Sequence, residues 1–232
     1  MLPFRDDNPT RALPVITVLI IIANFVVFLY QTALPGGRAQ LAFVYQYGAV
    51  PAHILQGVNL GRPMLEPAWL TIFTAMFMHG GWLHILGNML FLWVFGNNVE
   101  DNMGKAKFII FYLTCGFAAT AAQLLMMADS PAAKVPMLGA SGAVAGVLGA
   151  YLVKFPGARV RNLVFLFPFI TVISLPAWVV LGFWFVLQFF SAAVSGLAET
   201  TGGVAYFAHV GGFIAGMILI GLFAPPRPRR ES

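Results

Sequence analysis

Long apolar runs separated by short polar, glycine or proline breaks dominate this chain. About 20 apolar residues are needed for a helix to cross the hydrocarbon core of a bilayer. Six stretches meet or approach that length: 13–31, 82–98, 108–128, 137–153, 175–193 and 204–223. The pattern predicts an all-α fold, a polytopic membrane protein with six transmembrane helices in one bundle. Residues 162–174 are apolar as well, but Pro168 and Pro176 interrupt them, and they read as an interfacial approach to the fifth span. Residues 32–81 form a large external loop, whose stretch 32–67 is too apolar for a solvated linker and is expected to lie partly in the membrane surface. The run 13–30 is too long for a signal-peptide core and reads as the first span.

Composition supports this reading. Of 232 residues, 59% are hydrophobic and 9% charged, against roughly 25% charged in soluble domains. The expectation is one membrane domain over 1–232, with no separate soluble domain. The net charge of +5 does not imply nucleic-acid binding, because the basic residues sit between apolar runs, as topology would place them. With both termini on one side, that side holds Arg5, Arg11, Lys105, Lys107, Lys154, Arg159, Arg161, Arg227, Arg229 and Arg230. The other holds Arg38, Arg62 and Lys134. Both termini are therefore expected in the cytoplasm. The Pro/Arg tail 225–230 reads as a solvated end facing lipid headgroups. Cys115 is the single cysteine; it implies neither a disulfide framework nor a cysteine metal cluster.

Under this topology the second, fourth and sixth spans run the same way. His84, Ser141 and His209 then share a depth, about one to two turns below the outer surface at 1.5 Å per residue. Polar groups in lipid are costly and need a reason. Gly142 and Gly146, with Ala145 and Gly149, give the fourth span a small-residue face, while His209, Gly212 and Gly216 share a face of the sixth. Small residues let membrane helices approach closely, which would bring Ser141 Oγ within reach of the His209 imidazole. Histidine can take a serine proton near neutral pH. No acidic residue lies within a span, so the arrangement would be a dyad. His84 and Asn88, one turn apart, could join the Ser141 backbone N–H as oxyanion donors, or could equally be interhelical hydrogen-bonding glue. His79 reads as structural, linking the long loop to the second span, and His53 has no assigned role. A metal site from His79 and His84 is disfavoured, since an i,i+5 spacing points them away from one face.

These residues resemble a known family. Gly139-Ala140-Ser141-Gly142 resembles the nucleophile motif of rhomboid intramembrane serine proteases. Met78-His79, then His84-Ile85-Leu86-Gly87-Asn88, then Glu100 are similar to the family's second-span signature. Ala208-His209 followed by Gly212 resembles its last-span base motif. The resemblance implies Ser141 as nucleophile, His209 as general base, and His84, Asn88 and the Ser141 amide as oxyanion hole. His79, Gly139, Gly142, Gly146, Gly212, Gly216 and Glu100 would support the site by packing. It also implies substrates that are single-span membrane proteins, and access gated by the fifth span and the loop 195–203. Two departures stand out. Trp69 is followed by Leu70 and Thr71 where many relatives carry Trp-Arg, and Ala145 stands where some relatives place an aromatic against the base.

The expected function is intramembrane serine endopeptidase, acting on transmembrane proteins within the lipid bilayer, with no nucleic acid, metal or organic cofactor. The alternative is a catalytically silent rhomboid-like protein that binds and escorts membrane helices. A small-solute transporter predicts inverted repeats or broken helices near the midplane, and neither is visible. Short tails without an obvious transit peptide point to a bacterial inner membrane.

Overall fold

Hydrocarbon offers the backbone no hydrogen bonds, so apolar runs close their own as helices. The computed structural model describes residues 2–166, 169–198 and 205–224. The first long helix is α1 (Val15–Ala33). The external region then folds into α2 (Gly36–Tyr47), α3 (Pro51–Gln56) and the single turn α4 (Thr71–Thr74), which is flanked by 3-10 turns. Helices α5 (Trp82–Met103), α6 (Lys105–Met127), α7 (Ser141–Lys154), α8 (Ala177–Ala198) and α9 (Tyr206–Phe223) complete the bundle.

Each of the six expected stretches holds a helix. By length and apolarity four of them, α1, α6, α8 and α9, are able to cross a membrane, and α5 with the bent segment before it makes a fifth. Helix α7 has 14 residues, about 21 Å at 1.5 Å per residue, which is short of the roughly 30 Å hydrocarbon core. Its start falls at Ser141 and not at 137, because Met137 pairs with Ala49 through two backbone bonds (3.0 and 2.8 Å) and the Gly139 N–H reaches Ala75 O at 2.9 Å. The external region thus holds the approach to α7 extended.

Helix α7 occupies the centre of the bundle and is buried from Gly142 through Tyr151. Its seat against α9 rests on glycines. A Cβ at Gly212 would strike the Gly142 carbonyl, and one at Gly216 the Gly146 carbonyl. Only hydrogen at these positions allows the two backbones to touch, and this contact replaces the hydrophobic drive that lipid removes.

The stretch 162–174, expected as an interfacial approach to the fifth span, is strand wherever it is described. It belongs to a three-stranded antiparallel sheet in the order β1 (Leu2–Asp6), β2 (Arg159–Leu166), β3 (Phe169–Pro176). Val160, Val164, Ile170, Thr171, Val172 and Ile173 are β-branched and fit a pleated surface better than a helix. Strand β1 pairs with β2 from Leu2↔Leu163 to Asp6↔Val160. The sheet caps the end of the bundle where α5 and α7 finish. There Asp6 Oδ2 accepts from Asn98 Nδ2 at 2.8 Å and from the Tyr151 hydroxyl. Ring contact between Phe111 and Phe223 (5.6 Å) brings the last turn of α9 to this same end. Of the expected access loop 195–203, residues up to Ala198 belong to α8; 199–204 and the Pro/Arg tail 225–230 lie outside the described residues.

Candidate active site

Helices α5, α7 and α9 all begin at the end of the bundle opposite the sheet. A cavity of about 1060 Å³ opens there, and His84, Asn88, Ser141 and His209 all line it. The four residues come from three helices and 126 positions of sequence, yet the parallel run of those helices places each in the first two turns.

Ser141 is the first residue of α7, so its N–H is among the four that a helix leaves without an internal acceptor. Gly139, two residues earlier, has φ +128°, a conformation L side chains rarely adopt. A Cβ there would lie 2.8 Å from His84 Cε1, 2.9 Å from Nε2 and 3.6 Å from Ser141 Oγ. The glycine therefore serves two ends, turning the chain into α7 and leaving space for the His84 ring beside the serine.

His84 Nδ1 accepts the Gly80 N–H at 3.4 Å. That bond places the proton of the neutral ring on Nε2, the nitrogen beside Gly139. Asn88 Nδ2 is buried and has no hydrogen-bond partner among the described residues. A buried amide donor left open costs stability, and functional sites are where such groups are retained. Two side-chain donors and one backbone N–H thus border one cavity, the chemistry required to receive an oxyanion.

His209, on the first turn of α9, is held from α8. Its Nδ1 lies 2.6 Å from Gln188 Oε1. The Trp184 ring sits 5.9 Å away at 37°, and the Tyr206 ring meets it edge-on at 6.3 Å. No hydrogen bond joins Ser141 Oγ to His209 among the described residues; such bonds often tighten only around a seated substrate. Ala145 is fully buried, and the aromatic missing there is replaced from α8 by Trp184. Neither Trp184 nor Gln188 was singled out from sequence. The available signal was an amide four residues after a tryptophan on a largely apolar helix, a spacing that sets both on one face.

One expected support lies elsewhere. Glu100 is not near the site. It is 12 residues past Asn88, about 18 Å along α5, where it accepts the N–H groups of Ile16 and Thr17 at 2.9 and 2.8 Å. His79 precedes α5, so helical spacing does not govern its direction. Its ring meets His84 edge-on at 5.0 Å, and its carbonyl accepts Gln31 Nε2 at 3.0 Å, tying α1 to the loop. Among the described residues no three His, Cys, Asp or Glu side chains converge as a metal would need.

Fold and site together define a multi-pass membrane protein with a serine, two histidines and an asparagine gathered at one end of a helical bundle. The Rhomboid domain matches residues 66–226, and the chain belongs to the rhomboid family. It is 33% identical over 150 residues to "Rhomboid protein 1, mitochondrial" of Saccharomyces cerevisiae, covering 64% of this chain and 40% of that protein. It is 28% identical over 167 residues to "Rhomboid-like protein 11, chloroplastic" of Arabidopsis thaliana, covering 68% and 54%. Against "Rhomboid protease GluP" of Bacillus subtilis the identity is 28% over 149 residues, covering 64% and 25%. The chain thus spans between a quarter and just over half of the length of these relatives. Mitochondrial and chloroplastic names among them give no support to a bacterial inner membrane.

Proposed function

We propose that this protein is a serine endopeptidase that cleaves transmembrane proteins within the bilayer. The observation that carries the reading is the convergence of Ser141, His209, His84 and the open Asn88 amide on one cavity. In this mechanism His209 Nε2 takes the Ser141 hydroxyl proton as Oγ bonds to the scissile carbonyl carbon. The carbonyl oxygen becomes an oxyanion and accepts from His84 Nε2–H, Asn88 Nδ2–H and the Ser141 N–H. Collapse breaks the C–N bond, and the imidazolium returns its proton to the departing amine. Water then repeats the sequence on the acyl ester, giving a carboxylic acid and free Ser141. The cavity, which is large enough for an extended peptide segment and water, suits both half-reactions.

The orientation follows from charge. Lys105, Lys107, Lys154, Arg159 and Arg161 lie toward the sheet end, so the positive-inside rule puts that end and both termini in the cytoplasm and the site on the opposite face. Substrates are then cut near the outer end of a helix. The chain acts as one membrane domain and needs no metal or organic cofactor.

The test is cleavage of a labelled single-span substrate by the purified protein in lipid vesicles. Wild type is expected to cut it and to react with a fluorophosphonate at Ser141, with a rate that falls on the acid side as His209 protonates. Equal cleavage by Ser141→Ala, or no labelling of Ser141, would overturn the proposal. The silent-escort reading predicts the second outcome, and no feature of the site favours it.

A further inference from the structure

The candidate dyad leaves one question, namely what holds the base. A histidine can accept the serine proton at Nε2 only when its own proton sits on Nδ1, so a base needs an acceptor behind it. Carboxylates usually supply one. Helices α7, α8 and α9 carry no carboxylate within their described residues. The atom behind His209 is Gln188 Oε1, 2.6 Å from Nδ1.

We propose that Gln188 is a positioning residue, its amide oxygen fixing the His209 tautomer so that Nε2 faces the cavity as a base. The opposite amide orientation would donate to Nδ1 and place the ring proton on Nε2, where it blocks general-base action. A base at His209 therefore requires the oxygen-facing amide. The seat of Gln188 is built from the same helix. Trp184, one turn earlier, packs on both His209 (5.9 Å) and Phe213 (5.9 Å), and Phe185 stacks on Phe213 at 4.7 Å. These contacts fix α8 against α9 at the level of the imidazole. An amide in an apolar span is then explained by its partner, as intramembrane polar groups require.

This inference rests on the serine-protease reading, and the experiment separates the two. Wild type, Gln188→Met, Gln188→Glu and Ser141→Ala are reconstituted in vesicles, and kcat and KM are measured from pH 5 to 9 on one labelled substrate. Methionine keeps the length and volume of the side chain but cannot accept the Nδ1 proton. Gln188→Met is expected to lower kcat about tenfold or more, a part of the 10²–10⁴ that a positioned base contributes, with KM little changed. Glutamate can only accept, so Gln188→Glu is expected to retain cleavage. Its carboxylate favours the imidazolium and moves the acid limb of the profile to higher pH. His84 and the Tyr206 ring also stand beside His209 and are common to all variants, so neither moves the limb between them.

Wild-type kinetics in Gln188→Met would overturn the inference. So would an unmoved acid limb in Gln188→Glu, since a carboxylate beside Nδ1 must favour the imidazolium. The second criterion decides the matter if Gln188→Met fails to fold, which thermal unfolding in detergent would reveal. Full activity in Ser141→Ala would instead remove the protease reading beneath it.

Discussion

Glu100 accepts three hydrogen bonds at the start of α1: the Ile16 and Thr17 N–H groups and the Thr17 hydroxyl, at 2.9, 2.8 and 2.8 Å. A side chain on α5 thereby caps a different helix, satisfying donors that α1 cannot satisfy itself. It is 2% exposed, so no water replaces it when it is removed. Glu100→Ala is expected to cost about 2–3 kcal/mol, the range for charge-assisted bonds lost in the interior. Thermal unfolding in detergent would show the loss. Because the residue lies about 18 Å from Asn88 along α5, the folded fraction should keep wild-type kcat.

Asn88 makes the opposite prediction. Its buried Nδ2 makes no hydrogen bond among the described residues, so removing it leaves no partner there unsatisfied. Asn88→Ala is expected to leave the unfolding temperature unchanged or slightly raised. It should lower kcat by about 10²–10³, as for loss of one oxyanion donor. Reduced stability with normal kcat would make Asn88 packing glue instead.

Gly216 tests the geometry that joins α7 to α9. Leucine there would drive a side chain into the Gly146 carbonyl, and overpacking of this kind costs about 1–3 kcal/mol. The strain separates Ser141 from His209, so Gly216→Leu is expected to abolish fluorophosphonate labelling of Ser141 although neither residue is altered. Gly221, on the same helix, where an added Cβ meets nothing within 4 Å, supplies the control: Gly221→Ala should label normally.

Asp6 gives the sheet a pH dependence. Burial pushes its carboxyl from 3.8 up to about 6, partly offset by the Tyr151 hydroxyl. A raised folded value means that the fold favours the protonated acid. Its stabilisation is complete below the unfolded value and fades as pH rises through about 6. The contribution is on the order of 1–2 kcal/mol once solvent screening is allowed for. The stability of wild type relative to Asp6→Asn should therefore fall between pH 4 and pH 7. A difference that is constant across that range would show that Asp6 does not titrate there.

Much of this architecture was legible in the chain because its cause is local. Hydrocarbon-length apolar runs must be helical, and the glycines on one face of α7 and of α9 announced a close approach that the backbone contacts at Gly212 and Gly216 bear out. The strands were not legible. Residues 162–174 are apolar like the spans, and pairing decides their form: β2 with β3, and β2 with β1, about 160 positions earlier. Likewise Glu100 stands in the family's second-span motif, but nothing in that motif indicates that its partner is the first turn of α1.

The sequence by itself determined the helices, their order, and which polar side chains would enter the bundle, since burial in lipid allows few other solutions. Only the tertiary structure decided what each polar group meets. Gln188 and His209 are 21 positions apart on different helices, and whether an amide backs an imidazole depends on helix rotation and depth to within about an ångström. Hydrophobic periodicity specifies a face and a length, and hydrogen bonds demand atoms at a distance.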